Sequence, residues 1–184
     1  MTHPAQFGQP APNFTAPAAF PGETMSAPLR PVTLDDYAGR WLAFFWYPLD
    51  FTTVCPTEIT ALSDRLDEFN DIDADVLGAS TDSVYSHRAW MGTPRESQGI
   101  AGLRFPLLSD KMGRIARDYG VLLEDEGVAL RGLFIVDSEG VIQYSVTHNL
   151  NVGRSVDETL RVLEAIQSGG LCGSDWKPGQ VLAG

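Results

Sequence analysis

Seven apolar residues in succession, Trp41-Leu42-Ala43-Phe44-Phe45-Trp46-Tyr47, run between Gly39 and Pro48, and a helical pattern opens soon after at Cys55-Pro56. A continuous apolar run closed by glycine and proline suits a β-strand buried on both faces. Such a strand has to lie inside a sheet with layers above and below it, which points to an α/β architecture. Proline is favoured at the first helical position, so Cys55 stands at or beside a helix N-terminus. There the unpaired backbone N–H groups and the positive end of the helix dipole favour a thiolate over a thiol.

The other periodicities supply the layers. Residues 1–31 are rich in Pro and Ala, with short apolar patches at Phe14 and Phe20, and read as an extended arm with a short hairpin. Residues 32–37 read as a helical turn ended by Gly39. Ile59, Leu62, Leu66 and Phe69 recur at spacings of three and four and predict one amphipathic helix. Residues 76–80 form a second buried strand, 83–91 a helix, 104–108 a short strand, and 110–119 a short helix stopped by Gly120. Residues 121–124 and 130–136 read as strands joined through an acidic turn at Gly127. Another strand, 141–148, is entered through Asp137-Ser138-Glu139-Gly140. Ser155 and Glu158 make a capping-box pattern ahead of Val156, Leu160, Leu163 and Ile166, and that helix ends at Gly169-Gly170. The order predicts a mixed central sheet with helices on both faces, which fits a thioredoxin-like fold and other mixed α/β folds alike. A single domain over 1–184 suits the length, with 169–184 as a tail in which Trp176 is the anchor.

Charge and cysteine usage narrow the function. The chain carries 24 acidic against 13 basic residues, a net charge of −11, and no cluster of Lys and Arg, so no nucleic-acid partner is predicted. The acidic balance reads as a solubility trait. No stretch is apolar and long enough to span a bilayer, and residues 1–12 lack the basic and apolar regions of a signal peptide; a cytoplasmic protein is expected. Cys55 and Cys172 are the two cysteines. In a reducing compartment a structural disulfide is disfavoured, which leaves catalysis, redox sensing or two inert thiols. Three scattered histidines without a Cys-x-x-Cys pair give little support to a zinc site, and no metal is expected.

A buried cysteine is often only a small hydrophobe. Around Cys55, however, stand the hydroxyls of Thr52 and Thr53 and the constraint of Pro56, none of which a core position needs. An activated thiolate also calls for a nearby cation, because a helix terminus alone shifts a thiol only modestly. Arg131, at the entry to the apolar strand Arg131-Gly132-Leu133-Phe134-Ile135-Val136, is the first candidate, although a strand-end arginine in water would look the same. Arg154 is a second. Glu58 either caps its own helix or ties an arginine beside the cysteine, and the two roles are compatible. Cys172 lies in the glycine-rich segment Gly169-Gly170-Leu171-Cys172-Gly173; it is either a free tail thiol or the partner that Cys55 meets during turnover. His87 and Trp90 read as packing or surface residues, and His148 as a structural or solvated one.

The run Pro48-x-x-x-Thr52-x-x-Cys55, extended as Phe51-Thr52-Thr53-Val54-Cys55-Pro56-Thr57-Glu58, resembles the peroxidatic motif of typical 2-Cys peroxiredoxins, the alkyl hydroperoxide reductase C and thiol-specific antioxidant group. Four further segments match in order: Gly8-Gln9-Pro10-Ala11-Pro12-Asn13-Phe14, Phe105-Pro106-Leu107-Leu108-Ser109-Asp110, Arg131 to Asp137, and Val152-Gly153-Arg154-Ser155-Val156-Asp157-Glu158. Cys172 with Trp176-Lys177-Pro178-Gly179 corresponds to the resolving region.

The resemblance implies a thioredoxin-like fold and a thiol peroxidase without a cofactor, acting on hydrogen peroxide and organic hydroperoxides. It makes Cys55 the peroxidatic cysteine, Thr52 and Arg131 the rest of its pocket, Pro48 a shield, and Glu58 with Arg154 the support of the arginine. It makes Cys172 the resolving cysteine, acting from the partner subunit of a homodimer that assembles into a decamer. The Cys55 helix would unwind by about a turn for the two sulfurs to meet, and a thioredoxin-type or flavin-dependent disulfide reductase would reopen the disulfide. Two departures stand out. Gly173 replaces a proline, and neither a C-terminal Tyr-Phe helix nor a Gly-Gly-Leu-Gly loop is reproduced, from which resistance to sulfinic acid formation is expected. A disulfide oxidoreductase on the same fold would want Cys-x-x-Cys where Glu58 stands, and a holdase or peroxide-sensing interaction protein is the non-enzymatic rival.

Overall fold

The apolar run becomes β3 (Trp41–Trp46), the strand around which the computed structural model is built; residues 5–183 are described. Before it come β1 (Thr15–Ala19) and β2 (Arg30–Thr33). After it follow α1 (Cys55–Asp64), α2 (Leu66–Asn70), β4 (Ala74–Ser80), α3 (Val84–Met91), β5 (Leu107–Ser109) and α4 (Arg114–Asp118). The chain continues through β6 (Leu122–Leu123), β7 (Val128–Ala129), β8 (Arg131–Val136), β9 (Ile142–His148) and α5 (Val156–Gln167). Seven strands make one mixed sheet in the order β2-β1-β5-β4-β3-β8-β9. β3 runs parallel to β4 and β4 to β5, while β8 and β9 add antiparallel beyond β3.

Residues 42 to 47 are all buried because successive side chains feed two cores. Ala43, Phe45 and Tyr47 pack with Ile59 and Leu62 of α1, Leu66 and Phe69 of α2, and Leu160 and Leu163 of α5. Leu42, Phe44 and Trp46 face Ile115 of α4, Tyr119 and Phe14, with the Phe44 ring 5.1 Å from both Phe14 and Tyr119. Each of the large side chains contributes on the order of 2–3 kcal/mol by leaving water. The mixed sheet with helices on both faces, a thioredoxin-like arrangement, is what the strand and helix periods predict.

Close approach explains one glycine on β4. A Cβ built on Gly78 would meet Leu107 Cδ2 at 2.6 Å and Phe45 Cζ at 2.8 Å. Gly78→Ala is expected to lower the stability by about 1–3 kcal/mol through overpacking. Urea denaturation checks this; an unshifted midpoint would mean that the Phe45 ring relaxes without cost.

Several boundaries differ from expectation, each for a local reason. The helix predicted across Ile59–Phe69 is two helices: at Arg65 (φ −106°, ψ 16°) the backbone leaves helical geometry, while the Arg65 side chain pairs with Glu68 and with Asp157 of α5. The N-terminal hairpin exists as β1 and β2, but β1 also pairs with β5 and so extends the main sheet. Residues 121–124 do not pair with the strand that starts at Arg131. Gly127, at φ +67°, turns the chain so that β6 pairs with β7 in a separate two-stranded ribbon. The helix predicted over 110–119 shortens to α4, because the Asp110 carboxylate accepts from the N–H groups of Arg114 and Ala116 and holds 110–113 as a turn. Ser155 caps α5 by accepting from Glu158 N, yet the Glu158 side chain pairs with Arg161, so the capping box is only half made. Among the described residues no helix is long and apolar enough to cross a membrane.

Candidate active site

β3 delivers the chain to buried Pro48, a loop crosses the sheet end over residues 48–54, and α1 begins at Cys55 with Pro56 in its second position. Nothing caps this helix start with a side chain: Val54, the residue ahead of it, makes no such hydrogen bond. Cys55 has no exposed surface in this arrangement. Its sulfur lies 3.4 Å from Nη1 of Arg131, the first residue of β8, reached across β3.

The guanidinium is held from three sides. Nε of Arg131 donates to the Leu150 carbonyl at 2.8 Å, and Nη1 donates to Glu58 Oε2 at 2.5 Å as well as facing the sulfur. Glu58 sits one helical turn from Cys55, and its other oxygen accepts from both N and Nε of Arg154 at 2.8 Å. Arg154 Nη1 in turn donates to the carbonyl of Gly132, beside Arg131. Burial pulls the Arg154 guanidinium below the usual arginine range, and the Glu58 carboxylate opposes that pull.

Two guanidinium cations against one carboxylate leave one positive charge beside Cys55. The side chains of Arg131, Arg154 and Glu58 are all under a tenth exposed, so water screens that charge poorly. A thiolate at Cys55 neutralises it. Buried ion pairs give little net stability, because desolvation offsets their attraction. A buried network of this kind at a helix start, in which Arg154 Nη2 is even left without a hydrogen-bond partner, is therefore better understood as a device that fixes charge next to a sulfur.

Thr52 is half-buried, and its hydroxyl donates to the Leu49 carbonyl at 3.0 Å, which leaves the oxygen lone pairs free to accept. Its loop neighbours Leu49 and Phe51 are exposed apolar side chains, as is Val152 in the turn before α5. Phe51 adopts φ +55°, a left-handed conformation rare for a residue with a bulky side chain. Pro48, Thr52, Cys55, Glu58, Arg131 and Arg154 thus come from one loop, one helix, one strand and the turn before α5, and converge at one end of the sheet.

Cys172 does not join them. Its sulfur lies 3.4 Å from Ser168 Oγ and 3.6 Å from the Ala165 carbonyl, at the C-terminal end of α5. Both cysteines are free thiols. The tail that carries Cys172 is anchored as expected by Trp176, which is buried and accepts at its carbonyl from Arg161 Nη1. Among the described residues no group of three or more His, Cys, Asp or Glu side chains is arranged to hold a metal ion.

Three contributors escaped the sequence pattern. The carbonyls of Gly132 and Leu150 anchor the arginines, and backbone acceptors leave no compositional trace. The third is a buried polar group behind the loop, His87 with Asp50 and Tyr47, in which His87 lies 37 residues from Asp50.

Comparison with known proteins adds to the geometry. Residues 7–145 match the AhpC/TSA family. The chain is 57% identical over 141 residues to a putative peroxiredoxin, YkuU, of Bacillus subtilis, covering 77% of this chain and 78% of that one. It is 51% identical over 172 residues to a putative peroxiredoxin in the rubredoxin operon of Clostridium pasteurianum, covering 94% and 95% of the two chains. Among solved structures, the reduced 2-Cys peroxiredoxin of Plasmodium vivax superposes with a TM-score of 0.90 at 40% identity, over 97% of this chain and 93% of that one.

Proposed function

The chain belongs to the AhpC/TSA family and is a peroxiredoxin, a thiol peroxidase; from that premise we propose that Cys55 is its peroxidatic cysteine and Cys172 its resolving cysteine. The observation that carries this reading is the Cys55 sulfur at the first residue of α1 with Arg131 Nη1 at 3.4 Å.

In the proposed reaction the Cys55 thiolate attacks the terminal oxygen of a hydroperoxide. The S–O bond forms as the O–O bond breaks, and negative charge moves onto the leaving oxygen. Arg131 stabilises that charge, the Thr52 oxygen accepts from the peroxide O–H to orient it, and Pro48 shields the site. Glu58 and Arg154 keep Arg131 in place. The leaving oxygen takes up a proton and departs as water or an alcohol, and Cys55 is left as a sulfenic acid. Cys172 of the partner subunit then condenses with it, forming the disulfide and releasing water. A thioredoxin-type or flavin-dependent disulfide reductase restores both thiols. Hydrogen peroxide and organic hydroperoxides are the substrates, and the working unit is a homodimer that assembles into a decamer in the cytoplasm.

Two features support the two-cysteine step. Cys55 has no exposed surface, so the first turn of α1 has to open before any second sulfur reaches it. Cys172 is hydrogen-bonded to the end of its own α5, at Ser168 Oγ and the Ala165 carbonyl, on a glycine-rich segment. Treating the reduced protein with one equivalent of hydrogen peroxide and running it on a non-reducing gel tests the step. A covalent dimer is expected, and it should vanish in Cys55→Ser and in Cys172→Ser. Monomer alone, with peroxide still consumed through Cys55, would remove Cys172 of the partner subunit from the mechanism.

A further inference from the structure

We propose that His87 is a positioning residue for the peroxide reaction, acting through Asp50 to fix the 48–54 loop that sets Thr52 and Cys55. The inference rests on the reading of Cys55 as the reacting sulfur.

His87 is fully buried on α3. Its Nδ1 lies 2.8 Å from Asp50 Oδ2, and its Nε2 lies 3.3 Å from the Leu108 carbonyl, so both ring nitrogens face acceptors. The other Asp50 oxygen accepts from the Tyr47 hydroxyl at 2.9 Å, and the Asp50 backbone N–H donates to Asp82 Oδ2 at 2.8 Å. Asp50 is thus gripped by its side chain and its backbone, from Tyr47 just past β3, from α3 and from the turn after β4, with almost no exposed surface.

The next residue, Phe51, holds φ +55°, which surroundings must enforce. One helical turn on from His87, Trp90 meets the Phe51 ring at a centroid distance of 5.9 Å. Two residues on one face of α3 therefore hold two consecutive residues of the loop. That grip lies five residues ahead of Cys55 and two ahead of Thr52. A core needing only to be filled would place an apolar side chain at 87. A buried imidazole and carboxylate are costly unless both are satisfied, and here their contacts end on the loop that places the reacting groups. Displacement of such groups by about an ångström costs on the order of a hundredfold in rate.

Two substitutions separate positioning from packing. The amide nitrogen of asparagine falls near the place of the imidazole Nδ1, so His87→Asn keeps a donor to Asp50 and gives up Leu108. His87→Gln places its amide near Nε2 and loses Asp50. Both leave a similar gap in the core and are expected to lower the urea midpoint alike. For hydrogen peroxide, kcat/KM is expected to fall at least about tenfold in His87→Gln and to stay within about threefold in His87→Asn. Equal losses in the two folded variants, or a greater loss in His87→Asn, would overturn the proposal.

Tyr47→Phe keeps the test sharp should either variant fail to fold, because it removes one oxygen and no packing. It is expected to lower kcat/KM several-fold in a protein that still folds, with the urea midpoint lowered by the loss of one hydrogen bond to the buried Asp50 carboxylate. An unchanged kcat/KM would overturn the proposal. If Cys55→Ser still reduces peroxide, the reading of the site falls instead, a result these variants do not produce.

Discussion

Cys55→Ser is expected to abolish peroxide reduction, with kcat/KM falling by at least about ten-thousandfold, while the fold survives. Serine is close in size to cysteine, and at a position with no exposed surface it leaves little gap. Its hydroxyl still offers an oxygen to Arg131 Nη1 where the sulfur stood at 3.4 Å. What it lacks is the soft sulfur that bonds readily to a peroxide oxygen. The arginine pair, the helix start and Thr52 remain but have nothing to act upon. Stopped-flow measurement of peroxide consumption, alongside circular dichroism, checks both halves. Residual activity within about tenfold of the parent would move the chemistry away from Cys55.

Arg131→Gln is expected to lose activity and stability together. Loss of one preorganised donor at a developing oxyanion typically costs about a hundred- to a thousandfold in rate, and Arg131 is the cation nearest the sulfur. Its removal also strips one hydrogen bond from the buried Glu58 carboxylate, a loss of about 1.5–3 kcal/mol, with Arg154 left as its counter-ion. Arg131→Lys separates the two effects. An ammonium keeps the charge but cannot span Leu150 O, Glu58 Oε2 and the sulfur at once, as the guanidinium fork does. The lysine variant should therefore recover stability more fully than rate. Wild-type kcat/KM in Arg131→Gln would remove Arg131 from the transition state.

The parts of this fold that are legible in the sequence are those where one physical cause dominates. The run 41–47 is apolar without interruption, so the central strand is readable, and Pro56 after a short loop marks the helix that starts at Cys55. The break at Arg65 is not readable, because Leu62, Leu66 and Phe69 continue an unbroken stripe with neither glycine nor proline between them. The ion pairs of Arg65 with Glu68 and Asp157 are tertiary facts. β1 carries Pro17 and three alanines, a weak strand signal, and its place in the sheet comes from pairing with β5. At the site, Arg131 and Glu58 are findable because each sits at an element boundary near chemistry. The grip of His87 on Asp50 spans 37 residues and leaves no periodic trace.

Trapping the oxidised sulfur tests the central claim most directly. Cys172→Ser protein, given one equivalent of hydrogen peroxide in the presence of a dione that captures sulfenic acids, should carry the adduct on the peptide containing Cys55, in nearly stoichiometric yield. An adduct elsewhere, or peroxide consumed with no adduct on Cys55, would contradict the account of Cys55 as the sulfur that meets the peroxide.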